Sequence, residues 1–179
     1  AYDRTHNAKK ILDNYADFSE VEKVSLAGRL VSKRGHGKAG FADIQDLSGK
    51  IQIYVRLNEV GEKTYELFRS LDIGDIIGVK GTVFTTKMGE ITVSVQHLVL
   101  LTKSLQPLPE KWHGLTDQET RYRQRYLDLI VNEESRRRFK VRRDVIREIR
   151  RILEESQFVE VETPILQSKP SGAMAKPFI

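Results

Sequence analysis

Phe41 is a large aromatic in a stretch, KAGFADIQDLSGKIQIYV from Lys38 to Val55, whose other residues alternate between apolar and polar. Side chains on a strand point to opposite faces in turn. Ala42 and Ile44, then Ile51, Ile53 and Val55, are expected to face inward. Phe41, Asp43 and Gln45, then Gln52, Tyr54 and Arg56, are expected to face outward. An aromatic ring among hydrogen-bonding and basic side chains on a wet face has the chemistry to stack on an unpaired base. The plainer reading is a satellite core residue under a loop, because scattered exposed apolar side chains are common.

Three further side chains join Phe41. Arg34 and Lys38 bound a basic, glycine-rich loop, RGHGK, which lacks the GK[ST] ending of a phosphate loop. It reads either as a flexible hairpin loop or as a place where Arg34 and Lys38 reach a nucleic-acid backbone or base edge. Glu90 opens a strand-like run in which Thr92 and Ser94 share its outward face, just after the turn Thr86–Gly89 that carries Lys87, a second candidate backbone contact. Arginine only donates, an ionised glutamate only accepts, and an amide such as Gln52 does both. A carboxylate that accepts from the N–H of uracil's pairing edge would repel the lone pair cytosine presents there. An unpaired buried polar group costs about 1–3 kcal/mol. Arg34, Phe41, Gln52 and Glu90 therefore form a candidate site for uracil.

The elements that must position these residues follow in order. Thr5 to Tyr15 reads as a short helix capped by Thr5. Val21 to Lys33 reads as a first strand, with Val24, Leu26 and Leu30 facing a core, Ser25 and Arg29 facing away, and Gly28 marking a bulge or bend. Asp46 to Lys50 is a turn. Glu59 to Leu71 is helical, with Val60, Tyr65, Leu67, Phe68 and Leu71 on one side. Ile76 to Thr85 and Glu90 to Leu101 are two more strands. The order β-β-β-α-β-β is that of an OB-fold, a five-stranded barrel that binds single strands on its strand 2–3 face and adjacent loops.

The predicted divisions are a barrel domain with its short helix over 1–101, a linker over 102–116 containing Pro107 and Pro109, and a helical second part over 117–179. In that part Asn132 to Ser156 reads as a long helix, capped by Asn132 and with Glu133 and Glu134 at its positive end. One face carries Phe139, Val145, Ile146, Ile149, Ile152 and Leu153. The other is dense in arginine, a solvated face or one that meets RNA phosphates or carboxylates. Phe158 to Leu166 reads as a strand ended at Pro164.

The 179 residues carry a formal net charge of +5 and a pI of about 9.4, which favours a polyanionic partner. Without cysteine there are no disulfides or thiolate metal sites, and the histidines lack ligand spacing, so no metal site is expected. With no long apolar run and no signal-peptide pattern, a cytoplasmic protein without membrane contact is the expectation.

The runs KWHGLTDQETRYRQRYLDLI, GKAGFADIQDLSGKIQIYV and VEVETPIL together closely resemble the bacterial class II lysyl-tRNA synthetases, over essentially the whole chain. The aspartyl and asparaginyl enzymes share the barrel and a looser RYLDL segment. The resemblance implies a barrel that binds the anticodon of tRNA(Lys), with Arg34, Phe41, Gln52 and Glu90 at the positions of the anticodon site. It implies that 117–179 opens an α+β class II catalytic domain. The helix, strand and proline then look like motif 1, which builds a homodimer interface through residues such as Phe158 and Pro164. Ser171 and Gly172 stand where the family has Gly-Gly near the amino-acid pocket, and Gln157 stands where it has a helix-ending glycine.

The intact protein so implied would join lysine to ATP with Mg²⁺, then transfer the lysyl group to tRNA. Nothing in this chain matches motif 2 or motif 3. No catalytic residue, and no bound ATP or Mg²⁺, is expected here. The other reading is a stand-alone OB-fold module for RNA binding or dimerisation, without catalysis. Gln157 and Ser171 also leave open a relative of altered specificity.

Overall fold

Alternating apolar residues build five strands: β1 (Lys23–His36), β2 (Ala39–Gln45), β3 (Lys50–Arg56), β4 (Ile76–Thr85) and β5 (Ile91–Thr102). A computed structural model describes residues 2–18, 22–109 and 115–165. The chain divides into two units, Ala1–Pro109 and Glu110–Ile179.

In the first unit the strands close into a barrel in the order β1-β2-β3-β5-β4. All neighbours are antiparallel except β3 and β5. That parallel pair needs a crossover, supplied by α2 (Leu57–Val60) and α3 (Glu62–Ser70) together with β4. The single helix expected there is broken at Gly61, whose φ of 79° no other residue type adopts cheaply. Tyr65, Phe68 and Leu71 are buried against the barrel core, as their spacing requires, and Val60 and Leu67 pack partly against it.

The inward faces of the five strands form the core: Val24, Leu26 and Leu30 of β1, Ile51, Ile53 and Val55 of β3, and their counterparts are all buried. Gly28 is not the bulge. The β1–β4 ladder runs through it unbroken, and the irregularity lies between Leu30 and Ser32. Gly28 is needed instead for closure, since a Cβ there would sit 2.8 Å from the Gln45 carbonyl oxygen. Ser25 does not face water. It is buried beneath the N-terminal segment, where its hydroxyl donates to the Asp3 carbonyl.

The N-terminal helix, α1 (Ala8–Asp13), is capped by Asn7 rather than Thr5. Asn7 Oδ1 accepts from the Lys10 amide, whereas the Thr5 hydroxyl accepts from the Ser25 amide and ties the segment to β1. Asp46 joins α1 to the β2–β3 turn. Its Oδ2 accepts from the Ala8 amide at 2.9 Å, and its Oδ1 accepts from the Ser48 and Gly49 amides at 2.7 and 3.0 Å. Burial opposes ionisation of Asp46, but the bonds from Ser48, Ala8 and Gly49 outweigh it and hold the carboxyl below its ordinary value.

At the other end of the barrel Asp75 is fully buried and accepts from the amides of Asp72 and Ser104 and from Lys103 Nζ. Residues just past β5 are thereby fastened to the start of β4.

The second unit holds α4 (Gln118–Arg123), α5 (Arg125–Val131) and α6 (Glu133–Glu155). Asn132 caps α6 as expected, accepting from the Glu134 amide. Not every arginine is solvated. Arg121 and Arg125 donate to the fully buried Asp128 at 2.9 and 2.5 Å, and Arg136 donates to the last carbonyls of α5. On α6, Arg138, Arg147 and Arg151 pair with carboxylates a turn away on the same helix. α6 ends in a Schellman motif: the Gln157 amide donates to Glu154 O and the Phe158 amide to Leu153 O. Gln157 takes the left-handed conformation there, with φ of 65°.

The strand expected from Phe158 does not form among the described residues, because 158–165 find no partner ladder. Ser171 and Gly172 lie outside the described residues.

Candidate nucleic-acid interface

The outer face of β1, β2 and β3 presents two adjacent lines of side chains, fixed by the ladder register. In the first, Arg34 on β1, Phe41 on β2 and Tyr54 on β3 are direct partners, and the line continues to Ser94 on β5 and Thr82 on β4. Two residues along, the second line runs Ser32, Asp43, Gln52, Thr92 and Phe84. Directly opposed side chains on one face stand about 5 Å apart and diagonal ones about 7–8 Å apart. Arg34, Phe41 and Gln52 are therefore neighbours on one surface.

Arg34 departs from expectation. β1 runs on to His36, so Arg34 is a strand residue held in register opposite Phe41 rather than a loop residue. A strand position restricts where its guanidinium reaches. Lys38 is exposed in the β1–β2 turn, and Lys87 is exposed in the β4–β5 turn.

Phe41 is half-buried and stacked on Tyr54, with ring centroids 4.5 Å apart and planes 24° from parallel. Tyr54 in turn meets Phe84 at 6.1 Å, tilted by 53°, and carries the Arg56 guanidinium 5.6 Å from its ring centroid. One face of Phe41 is thus backed by an aromatic row.

Gln52 also departs from expectation. It points outward but is only 5% exposed. Its Nε2 donates to Glu90 Oε2 at 2.7 Å, and its Oε1 accepts from the Thr92 hydroxyl at 2.9 Å. Burial of an amide is tolerated because its polar atoms are paired. Glu90 is exposed and sits immediately before β5 at the end of the β4–β5 turn, where its amide donates to Thr86 Oγ1. Asp43, next along from Phe41 on the same face, is buried and accepts from the Ser32 hydroxyl. The expected wet face is therefore an internally bonded polar floor beside an aromatic row, with Arg34 and Glu90 exposed on it.

Such a surface can stack a planar ring on Phe41 and offer it a cationic donor at Arg34, a donor at Gln52 and an acceptor at Glu90. Tyr54 becomes the backing ring because Lys50, expected in the turn, opens β3 opposite Gln45 and so sets Tyr54 opposite Phe41. Thr92 and Phe84 were not recoverable from sequence, because they reach the second line only through the parallel β3–β5 pairing. Among the described residues no group of His, Asp or Glu side chains could hold a metal, and no helix is long and apolar enough to cross a membrane.

The fold agrees with what the chain resembles. Residues 24–101 match the family model described as an OB-fold nucleic acid binding domain, and residues 117–179 match that of class II tRNA synthetases (D, K and N). The chain is thus an OB-fold nucleic-acid-binding domain followed by a class II synthetase region. It is 59% identical to the lysine–tRNA ligase of Pelotomaculum thermopropionicum over 178 residues, 99% of this chain and 35% of that protein. It is 58% identical to that of Carboxydothermus hydrogenoformans and 53% to that of Bacillus cytotoxicus, again over 99% of this chain and 36% and 37% of those proteins. Over 99% of its length the chain is similar to these class II lysine–tRNA ligases, and it spans about a third of their length, 35–37%.

Proposed function

We propose that the barrel binds the anticodon loop of tRNA(Lys), with Phe41 stacking on an unpaired uridine and Arg34, Gln52 and Glu90 contacting its edge. The observation that carries this is the register itself: Arg34, Phe41 and Tyr54 opposed in one line, with Gln52 bonded to Glu90 in the next. Lys38 and Lys87, on turns flanking the surface, contact the RNA backbone. The positive net charge of +5 favours the encounter.

For the whole protein the reading is a cytoplasmic lysine–tRNA ligase. It activates lysine with ATP and Mg²⁺ as lysyl-adenylate and transfers the lysyl group to the terminal ribose of tRNA. Residues 1–101 form the anticodon-binding domain, 102–116 the linker, and 117–179 the opening of the catalytic domain. ATP and Mg²⁺ would be held outside the described residues, which offer no cluster for a metal.

The second unit contributes to a homodimer, with Phe158 and Pro164 at the interface. The support is the exposed apolar stripe of α6, where Val145, Ile149 and Ile152 are each at least half exposed (52%, 53% and 50%), followed by Phe158 at 66%. Ser171 and Gly172 are assigned to the amino-acid pocket by family position alone.

The test is binding of this chain to a uridine-rich anticodon stem-loop and to one with cytosine at the middle position, at fixed salt. Preference for uridine, lost in Phe41→Ala and Glu90→Ala, is expected. Equal weak binding to both would leave only a generic basic surface.

A further inference from the structure

Gln52 lies at the centre of the polar line on the barrel's outer face, and its amide is oriented from both ends. A carboxylate can only accept, so the amide nitrogen must face Glu90. The carbonyl oxygen then faces Thr92, whose hydroxyl supplies the matching proton. That hydroxyl also lies 3.1 Å from the Glu90 carbonyl oxygen, but the Gln52 acceptor is the nearer at 2.9 Å.

Thr92 is fully buried, opposite Gln52 on β3 and Phe84 on β4. A branched side chain suits a strand at that position, and valine would fill the same shape. What valine lacks is the hydroxyl, and the hydroxyl bonds Gln52, which alone of the four candidate base contacts Arg34, Phe41, Gln52 and Glu90 both donates and accepts.

We propose that Thr92 is a specificity-determining positioning residue, whose hydroxyl locks the Gln52 amide with Nε2 toward Glu90 and so sets the base preference of the surface. The inference rests on the reading of that surface as a site for an unpaired base. With the amide locked, a Gln52 N–H and a Glu90 oxygen stand side by side, a donor next to an acceptor. Uracil presents the complement, a carbonyl next to an N–H. Cytosine presents an amino group and a lone pair in those places. Without the Thr92 hydroxyl, the Glu90 carboxylate is left as the one partner of the Gln52 amide among the described residues, the side chain leaves that arrangement more readily to offer its carbonyl to the cytosine amino group, and discrimination falls.

The experiment compares the full 179-residue chain carrying Thr92→Val, Thr92→Ala or Thr92→Ser with the unmodified chain. Each is titrated with stem-loops bearing uridine or cytosine at the middle position, at fixed salt, beside a thermal melt. The uridine-to-cytosine affinity ratio is expected to drop about three- to tenfold in Thr92→Val and Thr92→Ala, the worth of one hydrogen bond. Thr92→Ser is expected to keep the original ratio. The alanine and serine chains differ only in the hydroxyl, so the comparison holds even if the valine chain fails to fold. Equal ratios in alanine and serine chains overturn the proposal while leaving the anticodon reading intact. No uridine preference in the unmodified chain overturns both.

Discussion

Phe41 and Tyr54 face each other across the β2–β3 ladder with ring centroids 4.5 Å apart. The pair makes Phe41 a supported platform, since rotation of its ring toward β3 is blocked by another ring. Only the face away from Tyr54 remains for a ligand, and that is the side of Arg34.

Phe41→Ala is expected to weaken binding of a uridine-rich stem-loop by about 1–3 kcal/mol, the worth of a base–aromatic stack. Tyr54→Leu keeps the bulk and loses the ring pairing, so its expected cost is smaller, about 0.5–1.5 kcal/mol. Fluorescence anisotropy at fixed salt measures both. A Tyr54→Leu effect as large as that of Phe41→Ala would mean that Tyr54 itself carries the base.

Lys38 and Lys87 should act on the phosphates and not on the bases. Replacing either with alanine is expected to reduce the slope of log affinity against log salt by about one. The uridine-to-cytosine ratio should stay unchanged. A titration series between low and moderate salt reads both quantities, and a changed ratio would place the lysine at a base edge.

Gln157 pays for its left-handed conformation, which costs an L-residue about 1–2 kcal/mol. Gln157→Gly is expected to slow hydrogen exchange at the Gln157 and Phe158 amides, which close the Schellman motif. It should also stabilise the second unit by about 1 kcal/mol. Unchanged exchange would show that the bonds closing α6 are not limited by that residue's backbone.

Asp128 is the buried acceptor for Arg121 and Arg125, whose side chains remain 29% and 32% exposed. Asp128→Ala is expected to destabilise the second unit by about 2 kcal/mol, less than the loss of a fully buried pair, because the freed arginines can reach water. Urea denaturation of the chain and of an Asp128→Ala, Arg121→Met double variant would test the pairing. Strict additivity of the two changes would dismiss it.

Asp46, Asp75 and Asp128 have carboxyls held below the ordinary range in the folded state: burial opposes this in each, and the hydrogen bonds each accepts, from Ser48, Lys103 and Ser135 foremost, outweigh it. Their contribution is present above the unfolded value of about 4 and is lost as pH falls through the lower folded values. The contribution of these three carboxylates should therefore be flat from neutral pH to about 5 and decline below about 4. Asp46→Asn should lower the plateau and flatten part of the acid limb, as followed by urea midpoints against pH.

The local code of the chain determined the barrel. Period-two alternation in 41–56 and 91–95, the turn expected over Asp46–Lys50, whose last residue opens β3 instead, and the apolar spacing of Tyr65, Phe68 and Leu71 each act over a few residues. Each is otherwise satisfied where expected. The same holds for Phe41 on the outer face, and for Asn132 as a cap, since a cap bonds an amide two residues away. What the sequence by itself could not determine depends on chain segments far apart meeting. Arg34 is a strand residue because β1 continues to pair with β2 through His36. Gln52 is buried because Thr92 and Glu90, 40 and 38 residues away, close over its two polar ends. Thr5 loses its capping role to Asn7 because Ser25 of β1 claims its hydroxyl. Residue type announces what a polar side chain can bond, but the partner it bonds is decided by which backbones the closed barrel brings within about 3 Å.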